Sequence, residues 1–311
     1  MDWAVMQVLT VSVTRQGLTE VSICRLWPDQ SSGPGRTRGH AGGMSEKNVY
    51  THGHHESVLR SHTWRTAENS AAYVLAHVVA GMDLLDVGCG PGTITIDLAK
   101  RVAPGQVIGV DASASVLEGA ARAAEEAACA NVTFQSGDIT QLEFEDGSFD
   151  IVHAHQVLQH LPDPVAALRE MRRVCRPGGV VAARDADYAA MTWFPEDPRL
   201  TRALELYRRT ARANGAEPDA GRRLLGWAQQ AGFDDIIPTA STWCYATPAD
   251  RTWWGSLWAD RVTQSSLATQ MVDYGLATPE DLESFAEAWR GWMVEADGWY
   301  AVLHGEVVCR A

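Results

Sequence analysis

Between Leu84 and Ala99 the chain reads LLDVGCGPGTITIDLA, with Gly88, Gly90 and Gly92 at every second position behind an apolar run that ends in Asp86. A strand that passes through a glycine turn into a helix brings bare backbone amides and a helix N-terminus up to a ligand. Glycine is needed where any Cβ would block that approach. The spacing is D-x-G-x-G-x-G. It is not the G-x-G-x-x-G of a dinucleotide site, because Thr93 stands where the third glycine belongs. Two more acids hold comparable positions: Asp111, closing the apolar run QVIGVD 19 residues beyond Gly92, and Asp138 in SGDI.

The elements that must carry these residues alternate. DLLDV, QVIGVD, NVTFQSGD, FDIVHAH and VVAARDAD read as strands one to five. Helices are expected over TAENSAAYVLAHVV, with Ala71, Val74, Leu75 and Val78 on one face, and over GTITIDLAKRV. SVLEGAARAAEEAA is a third, with Ser115 and Glu118 at capping-box spacing. DPVAALREMRRVCRPGG has Asp163 as N-cap, Pro164 in the first turn and Gly178–Gly179 as its stop. FDDIIPTASTWCY and GWYAVLHGEVVCR read as two later strands. The pattern predicts an α/β protein with a doubly wound, mostly parallel, seven-stranded sheet. The expected division is a disordered leader over 1–43, a helical cover over 44–82 and the ligand-binding core over 83–245. A Trp-rich helical lid over 246–298 and the last strand over 299–311 complete it.

Asp86-x-Gly88-x-Gly90-x-Gly92, Asp111, Asp138, FDIVHAHQVLQHLPDP and RPGG resemble, in order, the motifs of class I S-adenosylmethionine (SAM)-dependent methyltransferases. Over residues 48–245, and more loosely the last strand, the chain is similar to the UbiE/COQ5-like small-molecule methyltransferases. The resemblance implies a Rossmann-like fold with SAM as cofactor. Gly88, Gly90 and Gly92 would let the chain pass under the cofactor, and Asp86 would support that loop and face the ammonium. Asp111, with Ala112 beside it, would take the ribose hydroxyls. Asp138 would accept from the adenine amine, Ile139 would pack on the ring, and His155 and Gln156 would sit beside the sulfonium. In the cover, Tyr50 is the candidate for the methionine moiety and Arg60 for the carboxylate, although each also reads as a solvated helix position. His54 is the nominated base. His160 reads as a second base or as a residue that satisfies backbone groups. Asp185 and Asp187 either orient the acceptor or are solvated.

Two alternatives stay open at this point: an NAD(P)-dependent oxidoreductase and a non-catalytic SAM-binding protein. The acceptor is expected to be a small molecule, quinone-like or a specialised metabolite. Nine of the 12 Trp lie between Trp193 and Trp299, which suggests an aromatic-walled lid over a bulky apolar or aromatic acceptor. Residues 246–311 carry ten acids against four arginines, which leans against an anionic one. A net charge of −13 over 311 residues argues against nucleic acid and an anionic membrane as partners. Six cysteines without C-x-x-C spacing suit reduced thiols and a cytoplasmic location. His52, His54, His55 and His62 invite a metal, but no cysteine or carboxylate cluster completes a ligand set, so none is expected.

Overall fold

The computed structural model describes Thr51 and residues 62–311. Five strands run parallel: β1 (Leu84–Val87), β2 (Val107–Asp111), β3 (Val132–Ser136), β4 (Phe149–His155) and β5 (Cys175–Ala186). β6 (Thr192–Phe194), β7 (Ile236–Tyr245) and β8 (Trp299–Arg310) complete an eight-stranded sheet in the order β3-β2-β1-β4-β5-β8-β6, with β7 on the other edge of β8. The expected count of seven misses β6, whose three residues are too few to show a period. It exists because β8 outruns β5: β5 pairs with β8 only as far as His304, and β6 covers Trp299–Ala301 beyond it.

Alternation along the strands divides the sheet into two faces. Leu84, Ile151, Val180 and Val308 pack beneath α1 (Ala67–Ser70) and α2 (Thr93–Val102), with Ala71, Val74, Leu98 and Val102. Leu85, Val152, Val181 and Val307 pack with Leu168, Met171, Leu224 and Phe233, from α4 (Pro164–Val174), α6 (Leu224–Gln230) and the turn after it. α3 (Ala114–Glu126) follows β2. The stretch expected to form a lid carries α7 (Pro248–Gln264), α8 (Ser266–Asp273) and α9 (Pro279–Val294). Thr247–Asp250 and Thr278–Asp281 capping boxes, each followed by proline, start α7 and α9. Trp254, Leu257, Trp258 and Val262 of α7 and Leu282, Phe285, Trp289 and Trp292 of α9 share one core with Tyr245 and Tyr300 of the sheet. α5 (Pro198–Ala213) adds Leu206 and Tyr207 to it. The helical stripes are thus core packing, and they anchor these helices to the sheet.

Three local expectations change. The helix expected over 66–79 is broken into α1 and a 3-10 turn at Leu75–His77. Asp97 accepts from the Ala67 amide and the Val102 carbonyl from that of Gly81, so both ends of the segment are tied to α2. α3 begins at Ala114 with Ser113 as N-cap, so Ser115 lies inside the helix and the box does not form. α4 ends at Val174, and RPGG belongs to β5, whose pairing with β4 begins at Phe149↔Cys175. Strand pairing claims those residues before the glycines can stop the helix.

Candidate functional site

The chain reverses direction across the sheet between β1 and β4, and open α/β sheets bind ligands at such a point, beyond the carboxyl ends of the strands. A cavity of about 710 Å³ opens there. It is lined by Asp86 in β1 with Gly88 and Gly90 after it, Asp111 at the end of β2 with Ala112 after it, Asp138 and Ile139 after β3, and His155 at the end of β4 with Gln156 after it. Four separate stretches of sequence converge on one space.

The glycine turn uses most of its own amides. Gly88 and Cys89 donate to the Val110 carbonyl at 2.7 and 3.1 Å, Gly90 donates to Asp111 Oδ2 at 2.9 Å, and Gly92 donates to Cys89 at 3.1 Å. The expectation of bare amides beside the ligand is therefore corrected at these four positions. The turn offers room instead. A pyrophosphate wants free N–H groups, so this construction disfavours a dinucleotide. The three glycines also serve different ends. A Cβ on Gly88 would lie 2.2 Å from Val157 Cγ2, and one on Gly92 would lie 2.9 Å from the Phe134 ring, so both are packing requirements. Among the described residues, a Cβ on Gly90 would meet nothing nearer than His62 Nδ1 at 3.9 Å. Of the three, Gly90 alone has room beside it among the described residues.

Asp86 is buried and already engaged: Thr95 donates to Oδ2 at 2.5 Å and the His153 Nδ1–H to Oδ1 at 2.8 Å. It ties β1 to α2 and β4. Asp111 accepts from the Gly90 amide through Oδ2 and from the Ser113 amide through Oδ1, both at 2.9 Å. Each oxygen keeps a second lone pair. Asp138 receives the Thr140 amide and hydroxyl on Oδ1, at 2.8 and 2.7 Å. His155 is buried, which pushes its pKa well below the ordinary imidazole value, and the Arg65 and Arg184 charges push it further. Gln156 sits at φ +53. Its Oε1 accepts from Arg65 Nη2 at 2.7 Å, and its amide Nε2 donates to His304 Nε2 at 2.8 Å. That sets the His304 tautomer, whose Nδ1–H donates to the Val302 carbonyl at 3.1 Å.

His62, Arg65, Gln156 and His160 also line a second, narrower cavity. Its far wall consists of Tyr188, Trp243, Tyr245, Trp253 and Trp254, with Gln159 and Arg261 also in the lining. Arg65, Gln159, Trp243 and Tyr245 were not singled out by sequence. The signal available was TWCY, where Trp243 and Tyr245 at i, i+2 must share a sheet face. Two arginines line the cavity, so its local charge does not follow the acidic average of residues 246–311. His160 is held down to about 3, by burial and then by the Arg65 charge, and remains neutral. Neither Asp185 nor Asp187 is solvated or lines either cavity. Asp187 is clamped by Arg222 Nε and Nη2, both at 2.6 Å, and Asp185 Oδ1 accepts the Gln159 amide at 3.2 Å. Tyr50, Arg60 and the nominated base His54 lie outside the described residues.

A glycine turn at the switch point of a mixed α/β sheet, with acids after the next two strands, defines a Rossmann-like nucleoside-binding protein. The chain belongs to the methyltransferase domain family, which matches residues 79–235. It is 38% identical to the uncharacterized methyltransferase C1B3.06c of Schizosaccharomyces pombe, over 83% of this chain and 95% of that one. It is also 38% identical to the demethylmenaquinone methyltransferase of Lactococcus lactis, over 42% of this chain and 49% of that one. The YcgJ protein of Bacillus subtilis shares the fold with a TM-score of 0.50 at 22% identity, covering 78% of this chain and 98% of that one. The chain is a SAM-dependent methyltransferase.

Proposed function

We propose that the larger cavity holds SAM and that the chain methylates a small-molecule acceptor, with alignment supplying most of the catalysis. The observation that carries this reading is the open cradle at Gly90, joined through its amide to Asp111. The residues present fit the group: space where a Cβ would stand, an acid after β2 for two hydroxyls, and an acid after β3 for an exocyclic amine. When bound, SAM supplies a methyl group already activated on a sulfonium. Asp111 would take the ribose hydroxyls on its remaining lone pairs, Asp138 the adenine amine, and Ile139 one face of the ring. Asp86, held by Thr95 and His153, keeps the turn in place and contributes its charge.

The chain's own task is then orientation and exclusion of water. Gln156 stands on the boundary of the two cavities, fixed from both sides by Arg65 and His304, and sets the direction of approach. His155 and His160 are held neutral with depressed pKa values. A base that weak adds little, because general-base help contributes about 3–5 kcal/mol only when the pKa is matched to the task. Orientation can contribute roughly 7–11 kcal/mol. The test is SAM consumption with extracts as the acceptor source, followed by mass spectrometry for products heavier by one methylene. The Asp111→Ala protein serves as control. Tight SAM binding with no methylated product from a broad acceptor panel would favour the non-catalytic reading.

A further inference from the structure

The larger cavity opens at the carboxyl ends of the parallel strands, and another sizeable space lies at their amino ends. Where β4 and β5 begin, a groove of about 560 Å³ falls within the range of small-molecule sites. Arg169, Arg172 and Arg173 of α4 line it, while Pro177 of β5 and Ala231 after α6 supply apolar lining.

Arg169 and Arg172 stand three residues apart on α4, so their side chains are neighbours. Arg169 Nη2 donates to the Gln230 carbonyl at 3.0 Å and Arg172 Nη1 to the Gly232 carbonyl at 2.5 Å. Both guanidinium groups are thereby drawn to one turn. Arg172 also lies 5.3 Å from the centre of the Phe233 ring, a second hold on its position. These bonds cap the carbonyl end of α6, which is a structural task in its own right. Each, however, uses one of five N–H donors and leaves the charge in place. Elsewhere in this acidic chain, arginines such as Arg173, Arg176 and Arg290 rest on carboxylates. Arg169 and Arg172 pair with no carboxylate among the described residues. Asp146, the acidic side chain in the lining, is bound to Arg173 instead.

Two anchored forks with two uncompensated charges suit a dianion. A phosphate ester brings close to two negative charges at pH 7 and three oxygens, whereas a carboxylate brings one charge and two oxygens. We propose that this groove binds a small molecule through a phosphate monoester, with Arg169 and Arg172 taking the phosphate oxygens and Pro177 and Ala231 facing its uncharged body. The site is independent of what the larger cavity holds.

The experiment titrates the full chain with phenyl phosphate, inorganic phosphate and benzoate by ligand-observed NMR at low salt, with and without S-adenosylhomocysteine. Phenyl phosphate should bind tighter than either other probe by about threefold or more, and S-adenosylhomocysteine should leave it in place. Arg169→Gln combined with Arg172→Gln should weaken phenyl phosphate by about tenfold or more. Arg172→Lys keeps the charge but loses the fork, and should fall between that variant and wild type. Arg199→Gln removes an arginine already paired with Asp197 and should change nothing. Arg169→Gln alone gives a second reading should the double variant fold poorly. No binding of phenyl phosphate, binding that survives in the double variant, benzoate or inorganic phosphate binding as tightly, or displacement by S-adenosylhomocysteine overturns the proposal.

Discussion

Replacing Gly90 with alanine adds a single methyl group where the protein has left space. Gly90 sits at φ +54, and an L-residue there costs about 1–2 kcal/mol. Part of that is offset, because alanine narrows the unfolded ensemble by roughly 0.4–1 kcal/mol. Among the described residues the new Cβ meets no atom closer than 3.9 Å, so no packing penalty is added. The net loss of stability should be about 1.6 kcal/mol or less, and the variant should fold. A bound nucleoside in the cradle would meet the methyl directly, so S-adenosylhomocysteine affinity should fall at least tenfold, which is about 1.4 kcal/mol. Gly88→Ala makes the contrast. Gly88 sits at φ +67 and carries the same backbone cost, and its Cβ would lie 2.2 Å from Val157 Cγ2, so overpacking adds about 1–3 kcal/mol. The added part should be relieved by Val157→Ala in the same chain. Urea unfolding of the ligand-free proteins and calorimetric titration with S-adenosylhomocysteine read the two quantities separately. Wild-type affinity in Gly90→Ala would refute the argument, as would a stability loss as large as that of Gly88→Ala.

Asp111→Ala should weaken S-adenosylhomocysteine binding by at least tenfold, since it removes the ribose acceptors and frees the Gly90 amide; near-normal affinity in calorimetry would reject the assignment. Asp185 is raised to about 7, chiefly by burial, although the Gln159 and Leu158 amides pull it down. With a folded value above the unfolded one near 3.9, the native state holds the extra proton between about pH 4 and 7, so this group lowers stability as pH rises through that window. Urea unfolding of Asp185→Asn at pH 5 and pH 8 should therefore show the variant gaining on wild type by up to about 2.6 kcal/mol between the two, and a pH-independent difference would count against the buried, protonated carboxyl. Arg184 and Glu306 form a buried ion pair at 3.1 Å, supported by Ser241 and Thr239 on Glu306. Glu306→Leu alone should cost about 3–5 kcal/mol in denaturant unfolding because it leaves a buried guanidinium uncompensated, and Arg184→Met added to it should recover most of that loss.

The sequence by itself determined the order of strands and helices through β5, because apolar runs, caps and turns are local signals. It also picked out nine of the residues that reach the larger cavity: Asp86, Gly88, Gly90, Asp111, Ala112, Asp138, Ile139, His155 and Gln156 all line it. The reason is geometric: each lies at or just beyond the carboxyl end of a parallel strand, and parallel strands end on one rim. Gly92 is the exception among these expectations, serving the packing against Phe134. Tertiary structure alone decided what the glycine amides bond to, since Val110 and Asp111 belong to the neighbouring strand. It alone placed Arg65 against Gln156, 91 residues away, and His304 against the same side chain, 148 residues away. It also put Asp187 in the grip of Arg222 and left Tyr245, Trp254 and Gln159 around one slot. Composition averages charge along the chain, whereas folding brings particular charges together. For that reason an acidic tail could end beside a cavity with arginines in its wall.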